Sequence, residues 1–358
     1  VRAAVRAWAE LLRVSALFTV PGDALAGAAA LGRRPGRGTA LAVGASLCLY
    51  EAGMALNDWA DRDEDAIDRP HRPIPSGRIT PGAALAAAGA LTAAGLTMAA
   101  RAGRPALTVA TGLAATVWAY DLRLKHTQAG PAAMAAARAL DLLLGATATA
   151  TAGTGAASVG VERPAGANGT SRAARSARIL SGARGPAQPT RPARTAHTDV
   201  RAALPAAALL GAHTYAVTAV SRHEAQGGST AAPLGALAAI VALGAAAVRE
   251  QRGSRDLPPV PGKGGPGGRH RTRPGAPAPR VLLPALTATY LRTAAEPLLH
   301  ATLNPSPPLT QRAVGSGIRA MIPLQAVLAA RAGAAGTGLA VMGLVPLART
   351  LARKVSLT

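Results

Sequence analysis

Long runs of Ala, Leu, Val and Gly divide this chain, most of them about 17 to 24 residues, the length a helix needs to cross a hydrocarbon core of ~30 Å. In lipid every backbone N–H and C=O must be satisfied within the chain, so such runs fold as helices. They fall at about 9–31, 39–56, 83–100, 105–120, 131–150, 201–220, 232–248, 281–303, 313–330 and 337–351. The pattern predicts an all-α polytopic membrane bundle of nine or ten spans. The apolar fraction of 49% would also suit a soluble protein; its clustering is what decides. Between the runs, 151–200 and 251–279 are low-complexity insertions rich in Gly, Pro and Arg. They divide the chain into an N-terminal helical half (1–150), two further spans (201–250) and a C-terminal group of spans (280–358).

Lys plus Arg number 39 against 17 acids, a formal charge of +22. In a soluble chain that excess would point to nucleic acid. Here the arginines sit in connectors and at span ends, and aromatics make up only 2% of the chain, too few to stack on bases. The charge therefore points to membrane lipid, anionic lipid above all, and not to nucleic acid. Cys48, the one cysteine, lies in an apolar run and leaves no intrachain disulfide to form. Residues 1–32 read as a retained first span, not as a cleavable signal.

The acids gather in one place, NDWADRDEDAIDRPHRPIPSGRIT, residues 57–80. In a helix, successive residues turn by about 100°, which puts Asn57, Asp58, Asp61, Asp65 and Asp68 within one arc of roughly 100°. Carboxylates on one face repel unless a cation lies between them, and hard oxygen ligands favour Mg²⁺, which commonly also takes substrate phosphate oxygens. Pro70, Pro73 and Pro75 then stop the helix, and Ser76-Gly77 makes a turn. Arg69, Arg72 and Arg78 can fold back toward the acids, and their forked guanidinium groups suit phosphate. Acids and arginines together describe a metal-plus-diphosphate clamp; mutual surface ion pairing is the alternative.

Other polar groups are sparse. Asp23, beside Pro21 in the first span, is either a site acid or a hydrogen-bond partner for the backbone freed by the proline. Tyr120, Asp121, Arg123 and Lys125 of YDLRLK emerge on the same side as the acidic stretch if spans alternate, as an interfacial belt would also do. Arg138 and Asp141, three apart, suit an intrahelical ion pair that holds the bundle together, and Arg292 and Glu296 a second pair. The connector SRHEAQGG, with Arg222, His223 and Glu224, falls on the same face and fits a loop around a ligand. Gly262-Lys263 lacks the following Ser/Thr and the preceding strand of a phosphate loop. The dispersed histidines form no HExxH, Cys/His or Ser/His/Asp constellation. The basic end RTLARK favours a cytoplasmic C-terminus and an even span count, whereas the basic connectors run against that orientation.

These residues resemble the UbiA superfamily of intramembrane prenyltransferases. The resemblance rests on NDxxDxxxD (Asn57, Asp58, Asp61, Asp65), then Asp68, RP, RPIPSG and Arg78 in order, and on YDLRLK, similar to the family's Tyr/Lys segment. It implies about nine helices around a cavity open sideways to lipid, in an integral membrane protein whose site faces the cytoplasm, placed by this resemblance in a bacterial plasma membrane. It further implies an enzyme that moves an isoprenoid group from a Mg²⁺-bound polyprenyl diphosphate to an aromatic or other hydrophobic acceptor. Carried over, Asn57, Asp58, Asp61 and Asp65 would serve the metal and diphosphate, and Arg72 and Lys125 would contact phosphate oxygens. Arg69, Tyr120 and Arg222 join them as substrate-side residues. The family's second motif usually has two aspartates; here Glu224 stands alone, which suggests a divergent bacterial branch in which Glu224 binds metal or takes the acceptor's proton. A polyprenyl-lipid binding or carrier protein without chemistry is the rival reading.

Overall fold

A computed structural model describes residues 2–152, 200–253 and 281–346, and the described residues form twelve α-helices and no strand. The two low-complexity insertions lie almost wholly outside the described residues. Helix α1 spans Arg2–Leu11, α2 Pro21–Ala30, α3 Arg37–Ala60, α4 Arg62–Asp68, α5 Pro81–Ala102 and α6 Arg104–Ala119. Helix α7 spans Gly130–Ala152, α8 Leu204–Ser221, α9 Ala231–Gly253, α10 Leu282–Leu303, α11 Pro307–Arg331 and α12 Ala335–Met342. Six of these helices, α3, α5, α7, α8, α9 and α11, are long and apolar enough to cross a membrane. Helix α6, at 16 residues, and the segment Leu17–Ala30 are shorter. The protein is an integral membrane protein with an all-helical core.

Local chemistry sets the helix ends. Thr80 caps α5 by accepting from the Ala83 N–H at 3.3 Å, and Pro81 follows at the first helical position, where its missing N–H costs nothing. Gly103, at φ 132, makes the one-residue corner between α5 and α6. The long helices alternate in direction. One end of the bundle therefore collects 57–80, 120–130 and 221–230, and the other collects the 31–36 connector, the α5–α6 corner and 332–334.

The first span departs from the expected continuous run over 9–31. Helix α1 ends at Leu11, Arg13 takes a left-handed conformation (φ 48, ψ 46), a 3₁₀ turn covers Val14–Thr19, and α2 starts at Pro21. Arg13 breaks the run because its side chain is committed to a carboxylate 45 residues away. Helix α1 lies across the end of the bundle, with Ala7 and Leu11 buried on Ala55, Leu56, Ile74 and Ile79.

Close packing depends on small residues, as it must where lipid offers no hydrophobic drive between helices. A Cβ on Gly145 of α7 would lie 2.3 Å from the Ala24 Cα of α2, and one on Gly27 would lie 2.2 Å from the Leu142 carbonyl. The same two helices share a buried polar cluster. Arg138 donates to Asp23 at 2.6 Å and to the Thr19 hydroxyl at 3.0 Å, and Gln325 of α11 donates to Asp23 at 2.6 Å. Asp141 lies 3.9 Å from Arg138 and accepts from Ser46 of α3. Asp23 thus has side-chain partners on two other helices, and the Arg138–Asp141 contact is the weaker part of a four-helix tie. Arg292 and Glu296 do not form an ion pair among the described residues.

Candidate active site at the mouth of the bundle

Helix α3 carries the first acids on its last turns and ends at Asp61, whose φ of −90° and ψ of 4° leave the helical path. Helix α4 restarts at Arg62, so Asp65 belongs to a separate short helix. The acids expected along one continuous arc are therefore folded around a corner. Asp58 and Asp65 face inward and are buried, whereas Asp63, Glu64 and Asp68 are exposed.

Arginine closes the corner. Arg72 Nη1 lies 2.6 Å from Asp65 Oδ2 and 3.4 Å from Asp58 Oδ1, so two carboxylates reach one nitrogen. Arg13 Nη2 approaches Asp58 at 3.1 Å, and Arg69 approaches Asp65 at 3.4 Å. Asp61 accepts from Asn57 at 2.6 Å and pairs with Lys125. Lys125 follows a single π-helical turn, Tyr120–Leu124, that continues α6; such turns recur at functional sites. Arg78, expected to fold toward these acids, instead grips Glu10 of α1 through two nitrogens, at 2.6 and 3.1 Å.

Beneath this cluster lies a cavity of about 500 Å³. Arg13, Asn57, Tyr120, Asp121 and Glu224 line its mouth, and Leu49, Met54, Leu113, Val117 and Val217 are among its apolar walls. Gly53 lets α3 approach the last turn of α6, since a Cβ there would meet Val117 at 3.0 Å. Deeper in, His213 is held between Tyr290 and the Gly317 carbonyl, each at 3.0 Å. Because a carbonyl only accepts, Nε2 carries the proton and Nδ1 accepts from the Tyr290 hydroxyl. Both ring nitrogens are used, which leaves His213 no role as a base.

Burial pushes the Asp121 carboxyl up to about 7, with Asp61 adding to the shift and Lys125 opposing it. Burial also raises Glu224, against the pull of Arg69. Glu224 stays at the cavity rim, while Arg222 turns away and donates to the Thr127 carbonyl at 2.6 Å, joining SRHEAQGG to the loop after the π turn. Asp58, Asp65, Arg69 and Arg72 are thus one network that Arg13 joins, Asn57, Asp61 and Lys125 form a second beside it, Tyr120 and Glu224 border the cavity, and Arg222 braces the wall.

The donor set fits a divalent cation. Asp58 and Asp65 supply hard oxygens around a point already taken by a positive nitrogen, which is where a cation is stable. The described His, Cys, Asp and Glu residues that gather within 4.8 Å of one another are Asp61, Glu64 and His126, a more exposed set at the outer rim. Asp58, Asp61 and Asp65 do not form one such group, because the corner at Asp61 separates Asp65 from α3 and Arg72 stands between.

Sequence reading did not single out Arg13 or Tyr50 as cavity residues. Tyr50 is seven residues before Asn57, hence on the same face of α3, and that spacing was readable. Arg13 had no such signal.

The sequence profile of the UbiA prenyltransferase family matches residues 15–256. A digeranylgeranylglyceryl phosphate synthase of Methanopyrus kandleri is 37% identical over 128 residues, 34% of this chain and 45% of that protein. A chloroplastic chlorophyll synthase of Oryza sativa is 49% identical over 49 residues, 14% of this chain and 13% of that protein. The chain thus matches less than half the length of either relative. Among solved structures, a UbiA homologue from Aeropyrum pernix superposes with a TM-score of 0.57 at 13% identity, over 87% of this chain and 96% of that one. A digeranylgeranylglyceryl phosphate synthase structure gives 0.54 at 14% identity, over 92% and 98%. At these identities the superpositions establish a shared fold.

Proposed function

Since the chain belongs to the UbiA prenyltransferase family, we propose that it transfers an isoprenoid group from a metal-bound polyprenyl diphosphate to a hydrophobic acceptor inside the bilayer. The observation that carries this reading is the pairing of a carboxylate–guanidinium cluster with an apolar cavity directly below it. Its relatives' names supply the reaction class, a prenyl transfer to a lipid or a pigment.

Heterolysis of the allylic C–O bond sends the electron pair to the diphosphate and leaves a carbocation. A bound Mg²⁺ would supply neutralisation of the developing diphosphate charge; Asp58 and Asp65 would hold it at the arginine cluster, and Asp61 with Asn57 would serve as a second oxygen set beside them. Arg13 lines the cavity and shares Asp58 with Arg72, Lys125 stands on Asp61, and each cationic group is pre-oriented by the acid it touches. Walls of Leu, Val and Met keep water from the cation until the acceptor's nucleophilic atom forms the new bond. Tyr50 and Tyr120 offer π faces nearby. The acceptor's proton then passes to a rim carboxylate. Asp121, with a carboxyl near 7, is better matched to that step at neutral pH than an ordinary acid, and Glu224 is the second candidate.

The test is diphosphate release from labelled geranylgeranyl diphosphate by the purified protein in lipid with Mg²⁺. The Asp61→Ala variant should lose at least ~100-fold in rate, in line with removal of a charge-stabilising group. Full activity in that variant would overturn the assignment. The isolated Glu224 on the second connector favours one other reading, a lipid carrier without chemistry. Tight diphosphate binding with no release across a panel of phenolic and alcoholic acceptors would establish it.

A further inference from the structure

At the end of the bundle away from the catalytic mouth, a second cavity of about 260 Å³ is lined by Arg33, Arg34, Arg37, Gly36, Gly38, Thr39 and Thr149. Three guanidinium groups line it, and its lining among the described residues contains no carboxylate. Arg33 is fixed at its base, donating to the Ala150 carbonyl at 3.1 Å and the Thr149 carbonyl at 3.5 Å at the end of α7. Thr39 and Thr149 join across the floor through a 2.8 Å hydroxyl contact. Arg34 and Arg37 are exposed at the rim, and no acid lies within ion-pairing distance of either among the described residues.

This arrangement opposes ordinary helix design. Positive charge is unfavourable at the positive end of a helix dipole, yet Arg37 occupies the first turn of α3, with Arg33 and Arg34 just before it and no acid in that turn. Like charges converging on one hollow gain stability only from an anion. The same end carries Arg101 and Arg104, both exposed, at the α5–α6 corner, so the field around the hollow is positive throughout. The connector at 31–36 joins two apolar helices and lies at the bilayer's edge, where the anion at high local concentration is the phosphate of an anionic phospholipid.

We propose that this hollow is a seat for one anionic phospholipid headgroup, with Arg34 and Arg37 taking the phosphate oxygens above the anchored Arg33 and the acyl chains lying along the bundle. The seat is separate from the diphosphate site and independent of the reaction assigned to it. Its role is to hold the non-catalytic end of α2, α3 and α7 in register with the membrane surface.

The experiment is native mass spectrometry of the full chain released from detergent with phosphatidylglycerol or phosphatidylcholine. The wild type should retain one phosphatidylglycerol in preference to phosphatidylcholine. Arg34→Ala/Arg37→Ala should weaken that binding roughly thirtyfold, about fivefold for each arginine near a lipid surface. Arg101→Ala/Arg104→Ala removes the same charge from the same end outside the hollow and should weaken it less than fivefold. Circular dichroism of both variants reports folding, and Arg34→Lys/Arg37→Lys, which keeps the charge, should retain most of the binding even if the alanine pair misfolds. Equal loss in the two alanine variants, equal retention of phosphatidylcholine, or displacement of the lipid by millimolar inorganic phosphate would each overturn the proposal.

Discussion

At the scale of single residues, the mouth of the cavity is organised by arginines that reach far along the chain. Arg13 is the one described non-glycine residue with positive φ, and a non-glycine side chain in that region generally persists only where its surroundings compensate for it. Its compensation is the 3.1 Å contact with Asp58. Arg13→Ala should weaken diphosphate binding about 10- to 100-fold, the range for one hydrogen bond to a charged group. Calorimetric titration with a non-hydrolysable prenyl diphosphate measures it. Arg78 has a different task. Its hydrogen bond to Glu10 lowers that carboxyl from the usual range, so the stabilising contribution is fully present above pH 4.5 and is lost as pH falls through the lowered folded value. Both side chains are more than a third exposed, so the contribution is small, about 0 to 1 kcal/mol. Glu10→Gln should therefore lower the thermal midpoint slightly at pH 7, and the difference from wild type should vanish as pH falls through the lowered folded value and the Glu10 carboxyl takes up its proton.

At the scale of helices, the cluster of Asp23, Arg138 and Asp141 ties α2, α3, α7 and α11, and Arg138 and Asp141 form part of the cavity wall. Removing one member leaves an uncompensated charge in a low-dielectric interior, so Arg138→Leu should cost about 3 to 5 kcal/mol. Thermal unfolding in detergent checks this, and a loss under about 1 kcal/mol would mean that water reaches the cluster. The helices themselves were legible in the sequence. Apolar run length located them, and Thr80-Pro81 and Gly103 marked their ends. What was not legible depended on partners far apart in the chain. The run 9–31 is uniformly apolar enough to read as one helix, and nothing local to Arg13 reports that Asp58 will draw it out of line. The corner at Asp61 was hidden for a related reason. Acid spacing alone suits a continuous helix, and only Arg72 and Lys125, 11 and 64 positions further on, make the break favourable. Arg78 was assigned to the wrong acid because Glu10 lies on a helix whose placement across the bundle end is a tertiary fact.

At the scale of the molecule, alternating helices put acids and the cavity at one end and the arginine-lined hollow at the other. Impermeant maleimide labelling in reconstituted vesicles tests this. In a Cys48→Ser background, Asp68→Cys and Arg34→Cys should label from opposite sides of the membrane, and labelling from the same side would refute the alternation. Superposition on distant UbiA structures at 13–14% identity indicates that this layout tolerates nearly complete sequence replacement. The glycines show where that tolerance stops. At Gly89, Gly235 and Gly336 an added methyl group would meet nothing within 4 Å, whereas at Gly27 and Gly145 it would collide with backbone of the facing helix. In a saturation library scored for survival, the first three columns should fill with many amino acids, and the columns at 27 and 145 should stay nearly blank.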